Sequence, residues 1–436
     1  MDKQTALDLL DEKQDFLFSV SDSIWDHPET DYTETVSSGI LMDALKKEGF
    51  TVTSGLAGIP TAFSGSYGSG SPVIGILGEF DALSGLSQKA CATEKEALEP
   101  GGNGHGCGHN LLGTGSLAAA IAVKEYLKGS KKPGTIIYFG CPAEEGGSAK
   151  AFMARDGVFK ECDAALTWHP GTENQVTSGT CNTCIQTEYK FTGVASHAAG
   201  APEQGRSALD AVELMNIGVQ FLREHMPDTA RIHYSITDAG GDSPNVVQPR
   251  AQVLYMVRSI WAKEALALQE RVDRIALAAS MMTDTTMEKK FIDGCSNTVP
   301  NKVLEKLLWE NFSQVEMPEY TEEEIAYAQA LCDSVEMKDN KLPGDFTEDS
   351  EELYEFVDKA SEHGTKAIND FLIPYFYSEH PRMGSTDVGD VSWLVPTAQI
   401  NTATYPSKAP GHSWQNVSCG RTSIAHKAML MAGKVL

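Results

Sequence analysis

The chain repeats one plan three times before residue 172. A run of strand length, apolar and rich in β-branched or aromatic residues, ends in residues that carry chemistry, and helical stretches separate the runs. The runs are "SPVIGILGEFDAL" (71–83), ending in acids, "KPGTIIYFGCPAEEGG" (132–147), ending in paired glutamates, and "CDAALTWHPG" (162–171), ending in a histidine. Helical stretches occupy 110–128 and 148–160. Strands alternating with helices predict an α/β domain, a largely parallel mixed sheet flanked by helices. In such sheets ligands gather at the carboxyl ends of the strands, where all three runs place their polar residues.

After residue 183 the pattern changes. Segments 183–197, 230–241 and 250–261 alternate apolar with polar, and amphipathic helices are expected at 207–226 and 263–282. This predicts a smaller α+β domain of two helices and four strands, residues 184–296, inserted as a lid or dimerisation domain between catalytic parts 1–183 and 297–436. A chain of 436 residues is too long for one ordinary core. An acidic helical stretch follows at 316–331, then a solvated loop or helix face at 345–356. Short strands and turns at the end close the first domain.

The net charge of −25 argues against a nucleic-acid or anionic-membrane surface. It leaves room for a small anionic substrate in a local cationic pocket. No apolar run approaches the roughly 20 residues of a membrane span. The first twenty residues are charged throughout and lack the regions of a signal peptide. Nine scattered cysteines, an odd number, fit reduced thiols better than a disulfide framework. A cytoplasmic protein is expected.

Donor-type residues cluster at the strand ends and one late turn. Cys107 and His109 lie in "GHGCGHNLLGTG" (104–115), Glu144 and Glu145 in "AEEGG", His169 after the third run and His412 in "APGHSWQ". Metal hydrolases draw N, O and S donors from several segments and keep a position open for water. Two metals can clamp an attacking water and a polarised carbonyl. In a Glu-Glu pair, one carboxylate can ligate while the other serves as general base. At a helix N-terminus, Cys107 is expected to favour the thiolate, through the helix dipole and any bound metal.

Each part alone has an ordinary reading. Cys-x-His is a weak signal, "AEEGG" reads as a solvated helix start, and His169 reads as a half-buried imidazole. "GHGCGH" fits neither GxGxxG nor a P-loop. Convergence on three strand ends carries the metal reading. Cys181 and Cys184 form a lone C-x-x-C, read as structural, with a redox pair or zinc storage as rivals. His105 reads as outer support or a loop residue.

Together these residues resemble the M20 metallopeptidase family, in its amidohydrolase branch. The resemblance runs along nearly the whole chain: "GEFDALSG", "GHGCGHN", "PAEEGG", "TWHPG", "FTGVASHAAGAPEQGRSALDA", "PNVVQPRAQVLYMVR" and "MGSTDVGDVSW". It departs at Asn110-Leu111-Leu112, where the branch usually has Asp-x-His, and at "GSTD" (384–387), where it usually has "GSED".

The resemblance implies that Cys107, His109, Glu145, His169 and His412 ligate two divalent ions, Mn²⁺ or Zn²⁺, with Cys107 as bridge. Glu144 would be the catalytic base, and Asp81 would orient a ligand. His197 would steady the oxyanion across a dimer interface, and Asn245, Arg258, Gly384 and Ser385 would hold substrate. The implied activity is hydrolysis of N-acyl or N-aroyl amino acids, an aromatic acid joined to Asp or Glu, of the p-aminobenzoyl-glutamate or indole-3-acetyl-aspartate type. The alternatives are a dipeptidase or aminoacylase of the same family, and a partner chain of a hetero-oligomeric hydrolase. A homodimer, or a heteromer with a related chain, is the implied assembly.

Overall fold

The computed structural model describes residues 2–336 and 341–436. Within them the chain forms two compact units. The first comprises 2–179, 299–336, 341–380 and 390–436; the second comprises 180–298 and 381–389. The short stretch 381–389 thus belongs with the inserted segment, although it lies far along the chain from it.

Eleven strands are described. They are β1 (Thr51–Ser54), β2 (Phe63–Ser69), β3 (Val73–Glu79), β4 (Gly134–Cys141), β5 (Ala164–Gly171), β6 (Gln175–Thr177), β7 (Thr183–Thr192), β8 (Arg231–Asp238), β9 (Arg250–Ser259), β10 (Thr286–Cys295) and β11 (Thr397–Ala403). In the first unit seven strands form one sheet in the order β1-β2-β4-β3-β5-β11-β6. The pairs β4/β3, β3/β5 and β5/β11 are parallel, and the flanking pairs are antiparallel. The three strands recognised from their run-and-turn plan are neighbours at its centre, and their carboxyl ends lie side by side.

The helix His109–Ser130 explains why this sheet is well covered. Residues 109–122 are all buried, and their sequence, "HNLLGTGSLAAAIA", is apolar or small on every side, as a helix enclosed all round must be. It packs with the sheet and with helices Gln14–Trp25 and Ser423–Val435 in one core containing Leu17, Ile76, Leu117, Trp168 and Met429. Asn110, at a departure from the family pattern, is buried; its amide donates to Ser21 Oγ and to the Gly420 carbonyl, both at 3.1 Å. Leu111 and Leu112 are core residues. The departure thus supplies packing and a tie between elements.

The second unit is an antiparallel sheet, β10-β7-β9-β8, with helices Ala208–Arg223 and Ala262–Met282. Its core holds Tyr189, Val212, Met215, Val253 and Val272. Along β9 buried residues alternate with half-buried ones, the pattern of a sheet covered more fully on one face. The acidic stretch near 316–331 becomes the helix Glu322–Asp333, with a capping box between Thr321 and Glu324. No described helix is long and apolar enough to cross a membrane.

Candidate metal centre

The glycines of "GHGCGH" allow a turn that other residues would block. Gly108 has φ +80°, and a Cβ there would run into the Tyr405 hydroxyl. The chain passes through this left-handed residue directly into the helix whose first residue is His109. The Asn416 amide donates to the Gly106 carbonyl at 3.1 Å and fixes the loop from outside.

His109 is fully buried. Its Nδ1 lies 2.7 Å from Asp81 Oδ1, so Nδ1–H donates and Nε2 is left facing the site. That Nε2 is 3.3 Å from Glu79 Oε2 and 4.0 Å from Glu145 Oε1. Glu145 Oε1 in turn lies 3.4 Å from His412 Nε2. On the other side, Cys107 Sγ is 3.4 Å from His169 Nε2, and His169 Nδ1 donates to the Pro170 carbonyl at 2.7 Å. Both imidazoles therefore offer Nε2 to the same space.

Three buried atoms in that space, His109 Nε2, Glu145 Oε1 and Glu79 Oε2, have no hydrogen-bond partner among the described residues. Leaving such groups unsatisfied costs on the order of 1–3 kcal/mol each, and a cation among them would satisfy all three. Three overlapping groups of donor atoms lie within 4.8 Å of one another: Cys107, His109 and His169; Cys107, Glu145 and His412; and Glu79, His109 and Glu144. Mixed N, S and O donors of this kind suit a divalent transition metal.

The electrostatics follow from burial. Burial opposes the charge on His109, yet Cys107 and Asp81 hold its imidazole well above the usual range. Burial, joined by Glu145, pushes the Cys107 thiol well above its ordinary value. The thiolate expected from the helix N-terminus is thus not favoured in the metal-free protein, because desolvation and a neighbouring carboxylate outweigh the dipole. Burial and then His109 lower His169 to about 4. Against burial, His109 holds Asp81 below the usual carboxylate range, and Lys150 does the same for Glu79.

Glu79 is the site residue that the sequence reading missed. Its Oε1 is 2.8 Å from the fully buried Lys150 Nζ. The signal was present: Glu79 and Asp81 are two apart at the end of an apolar run, so a strand directs both to one face.

The candidates for substrate contact lie in the second unit. His197 is exposed, and its Nδ1 accepts from the Ala199 and Gly200 backbone at 3.2 and 3.1 Å, which leaves Nε2–H as an outward donor. Asn245 is beside it, its carbonyl accepting from Ala198 N at 2.9 Å. Arg258 Nη1 donates to Ser385 Oγ at 2.9 Å, and the Gly384 carbonyl accepts from Asn182 N at 2.9 Å. Cys184 faces Cys295 across β7 and β10, Sγ to Sγ 3.2 Å, and no metal-type donor group among the described residues includes Cys181 or Cys184. His105 is buried, its Nε2 3.1 Å from the Ile24 carbonyl.

Residues 75–412 match the model of peptidase family M20/M25/M40. The chain is 46% identical to one of the polypeptides of p-aminobenzoyl-glutamate hydrolase from Escherichia coli (strain K12) over 423 residues, 96% of this chain and 86% of that protein. It is 29% identical to the Xaa-Arg dipeptidase of Mus musculus over 336 residues, 74% of each. Among solved structures it resembles the Bacillus subtilis YXEP protein, described as a dinuclear metal binding peptidase from the M20 family, with a TM-score of 0.54 and 15% identity over 97% of this chain and 98% of that one. The family match begins in β3, whose end carries Glu79, and runs to His412 at the candidate centre, so the chain belongs to peptidase family M20/M25/M40.

Proposed function

We propose that this chain is a metal-dependent amidohydrolase that cleaves N-acyl or N-aroyl amino acids, with an aromatic acid joined to aspartate or glutamate as its substrate class. Family membership makes it a hydrolase of amide bonds. The observation that carries the metal reading is the shared position of Cys107: one sulfur belongs both to the group with His109 and His169 and to the group with Glu145 and His412. That sharing supports two divalent ions, Mn²⁺ or Zn²⁺, which Cys107, His109, Glu145, His169 and His412 would hold. The substrate class is supported by the identity to a p-aminobenzoyl-glutamate hydrolase polypeptide.

When bound, the ions supply Lewis acidity toward the amide carbonyl and acidify water. Glu144 accepts the proton of the attacking water and passes it to the leaving nitrogen. Asp81 fixes His109 through Nδ1 and holds the Glu145 backbone N–H through its second oxygen at 2.9 Å. His197, with Nε2–H outward, donates to the developing oxyanion. Arg258, steadied by Ser385, forks onto the α-carboxylate of the leaving amino acid, and Asn245 and Gly384 complete the substrate contacts.

The second unit, 180–298 with 381–389, serves as the lid and dimerisation domain. Exposed Ile217, Phe221, Met281 and Met282 on its two helices support burial against another chain, in a homodimer or in a heteromer with a related polypeptide. A cytoplasmic home is supported by cysteines that are all free.

The test is release of free amino acid by metal-stripped protein with and without Mn²⁺ or Zn²⁺. The panel holds p-aminobenzoyl-glutamate, indole-3-acetyl-aspartate, N-acetyl-methionine and dipeptides including an Xaa-Arg. Metal-dependent cleavage of the aromatic conjugates is expected. Cleavage confined to dipeptides would favour the second reading, a dipeptidase, which the identity to an Xaa-Arg dipeptidase supports.

A further inference from the structure

The turn that carries Glu144 and Glu145 is gripped by a short segment, 31–34, to which the chemistry above gives no role. Glu34 is completely buried. Its Oε1 accepts the Ala143 backbone N–H at 3.0 Å, at the entrance of the turn, and also the Tyr32 N–H at 3.1 Å. Thr61 Oγ1 lies 3.4 Å from its other oxygen. At the exit of the turn, Tyr32 Oη donates to the Gly147 carbonyl at 2.5 Å. Gly147 N closes the turn on the Ala143 carbonyl at 3.0 Å. The segment is anchored in turn beside Asp81, since Ala82 N donates to the Glu29 carbonyl at 2.8 Å.

The approach is close enough to dictate sequence on both sides. A Cβ at Gly146 would run into the Asp31 carboxylate, and one at Gly147 into the Tyr32 ring. Three non-glycine residues of the contact adopt left-handed backbone: Asp31 (φ 48°), Tyr32 (φ 68°) and Ala143 (φ 51°). Such conformations cost about 1–3 kcal/mol each and persist where surrounding contacts over-determine them, most often at functional sites. Here the contacts are identified. Glu34 holds the turn's first residue, Asp81 holds the Glu145 N–H, and Tyr32 holds its last residue.

We propose that Glu34 and Tyr32 are positioning residues: together they clamp the 143–147 turn so that Glu144 and Glu145 are presented to the metal centre and the substrate water. The clamp rests on the roles assigned to Glu144 and Glu145 above. It acts by hydrogen-bond geometry. Both backbone N–H groups share one oxygen of Glu34, so an amide oxygen at the same place can replace it.

The test compares Glu34→Ala, Glu34→Gln and Tyr32→Phe. Each full-length variant is stripped and titrated with Zn²⁺ or Mn²⁺ alone, assayed on the conjugate the wild type cleaves, and melted. Supporting residues around metal ligands typically change affinity or activity about 10–100-fold. Glu34→Ala and Tyr32→Phe are expected to weaken metal binding by about 10–100-fold, and to lower kcat comparably with KM within about twofold. Glu34→Gln is expected to stay within about threefold of wild type in both. Wild-type metal affinity and kcat in folded Glu34→Ala and Tyr32→Phe, or a fall in melting temperature alone, would overturn the clamp. So would a Glu34→Gln as impaired as Glu34→Ala. If Glu34→Ala does not fold, Tyr32→Phe decides. A wild type that binds metal but cleaves no conjugate defeats the substrate reading alone, and the metal affinities still decide the clamp.

Discussion

In the protein without an ion, burial keeps the proton on the Cys107 thiol, and against burial the Asp81 carboxylate raises the His109 imidazole. A metal takes the thiolate and the neutral imidazole. Loading should therefore release one to two protons, and affinity should tighten as pH rises through the neutral range. Calorimetric titration in buffers of different ionisation enthalpy counts those protons; a buffer-independent heat would contradict the ligand assignment. Glu144 has a different task, and Glu144→Gln should keep full metal content by elemental analysis while losing turnover by a factor of about 10²–10⁴. His105 gives a third prediction at this scale. Burial, reinforced by the charge of His109, lowers its folded-state value to about 4 from an ordinary 6.5. A depressed histidine contributes stability that is fully present above pH 6.5 and is lost as pH falls toward 4, where the folded protein must accept a charge in its interior. The loss is on the order of 3 kcal/mol. Melting temperature against pH should fall over that window, and less steeply in His105→Gln, which can still donate toward the Ile24 carbonyl.

At the scale of elements, the centre depends on a helix entered through one left-handed glycine. Gly108→Ala should destabilise the protein by about 2–4 kcal/mol, from unfavourable φ plus overlap with the Tyr405 hydroxyl. The second variant Tyr405→Phe should recover the overlap part and leave the φ part, a non-additivity that chemical denaturation can measure. This element was legible in advance because glycine spacing and apolar periodicity are local properties. The same holds for β3, β4 and β5, where a β-branched run meets a polar end. β1 and β2 were not foreseen: "TVTS" and "FSGSYGS" are short and polar, and their strand state comes from pairing, β2 with β4 and β1 with β2, which no local pattern encodes. Donors at strand ends were readable for the same local reason. Glu79 was passed over because its partners, His109 and Lys150, are 30 or more residues away in sequence. Glu34 was passed over because the Ala143 N–H that it accepts is 109 residues away. The lone C-x-x-C was read as structural, and the neighbour of Cys184 is Cys295 on the adjacent strand, which no spacing along the chain encodes.

Across the whole molecule, the residues proposed for chemistry are divided between two compact units. Metal donors and Glu144 belong to the first; His197, Asn245, Arg258 and Ser385 belong to the second. Arg258 is proposed to bind the amino-acid carboxylate in ground and transition states alike, so Arg258→Ala should raise KM with a smaller change in kcat. His197 is proposed to act on the oxyanion, so His197→Ala should lower kcat. Its two backbone hydrogen bonds at Nδ1 fix the tautomer that such a donor needs. The resemblance to the M20 amidohydrolases implies that this histidine serves the centre of the other protomer, and that implication can be separated from service within one chain. His197→Ala and Glu144→Gln should each be nearly inactive alone. If His197 crosses the interface of a two-fold homodimer, mixing them and allowing protomers to exchange creates mixed dimers. In these, one centre has an intact Glu144 from its own chain and an intact His197 from the partner. Random exchange makes about half of the dimers mixed with one working centre each, so activity should return to roughly a quarter of wild type. Were His197 to serve its own chain, every centre in the mixture would lack either its base or its oxyanion donor. The activity would then stay at the level of the separate variants.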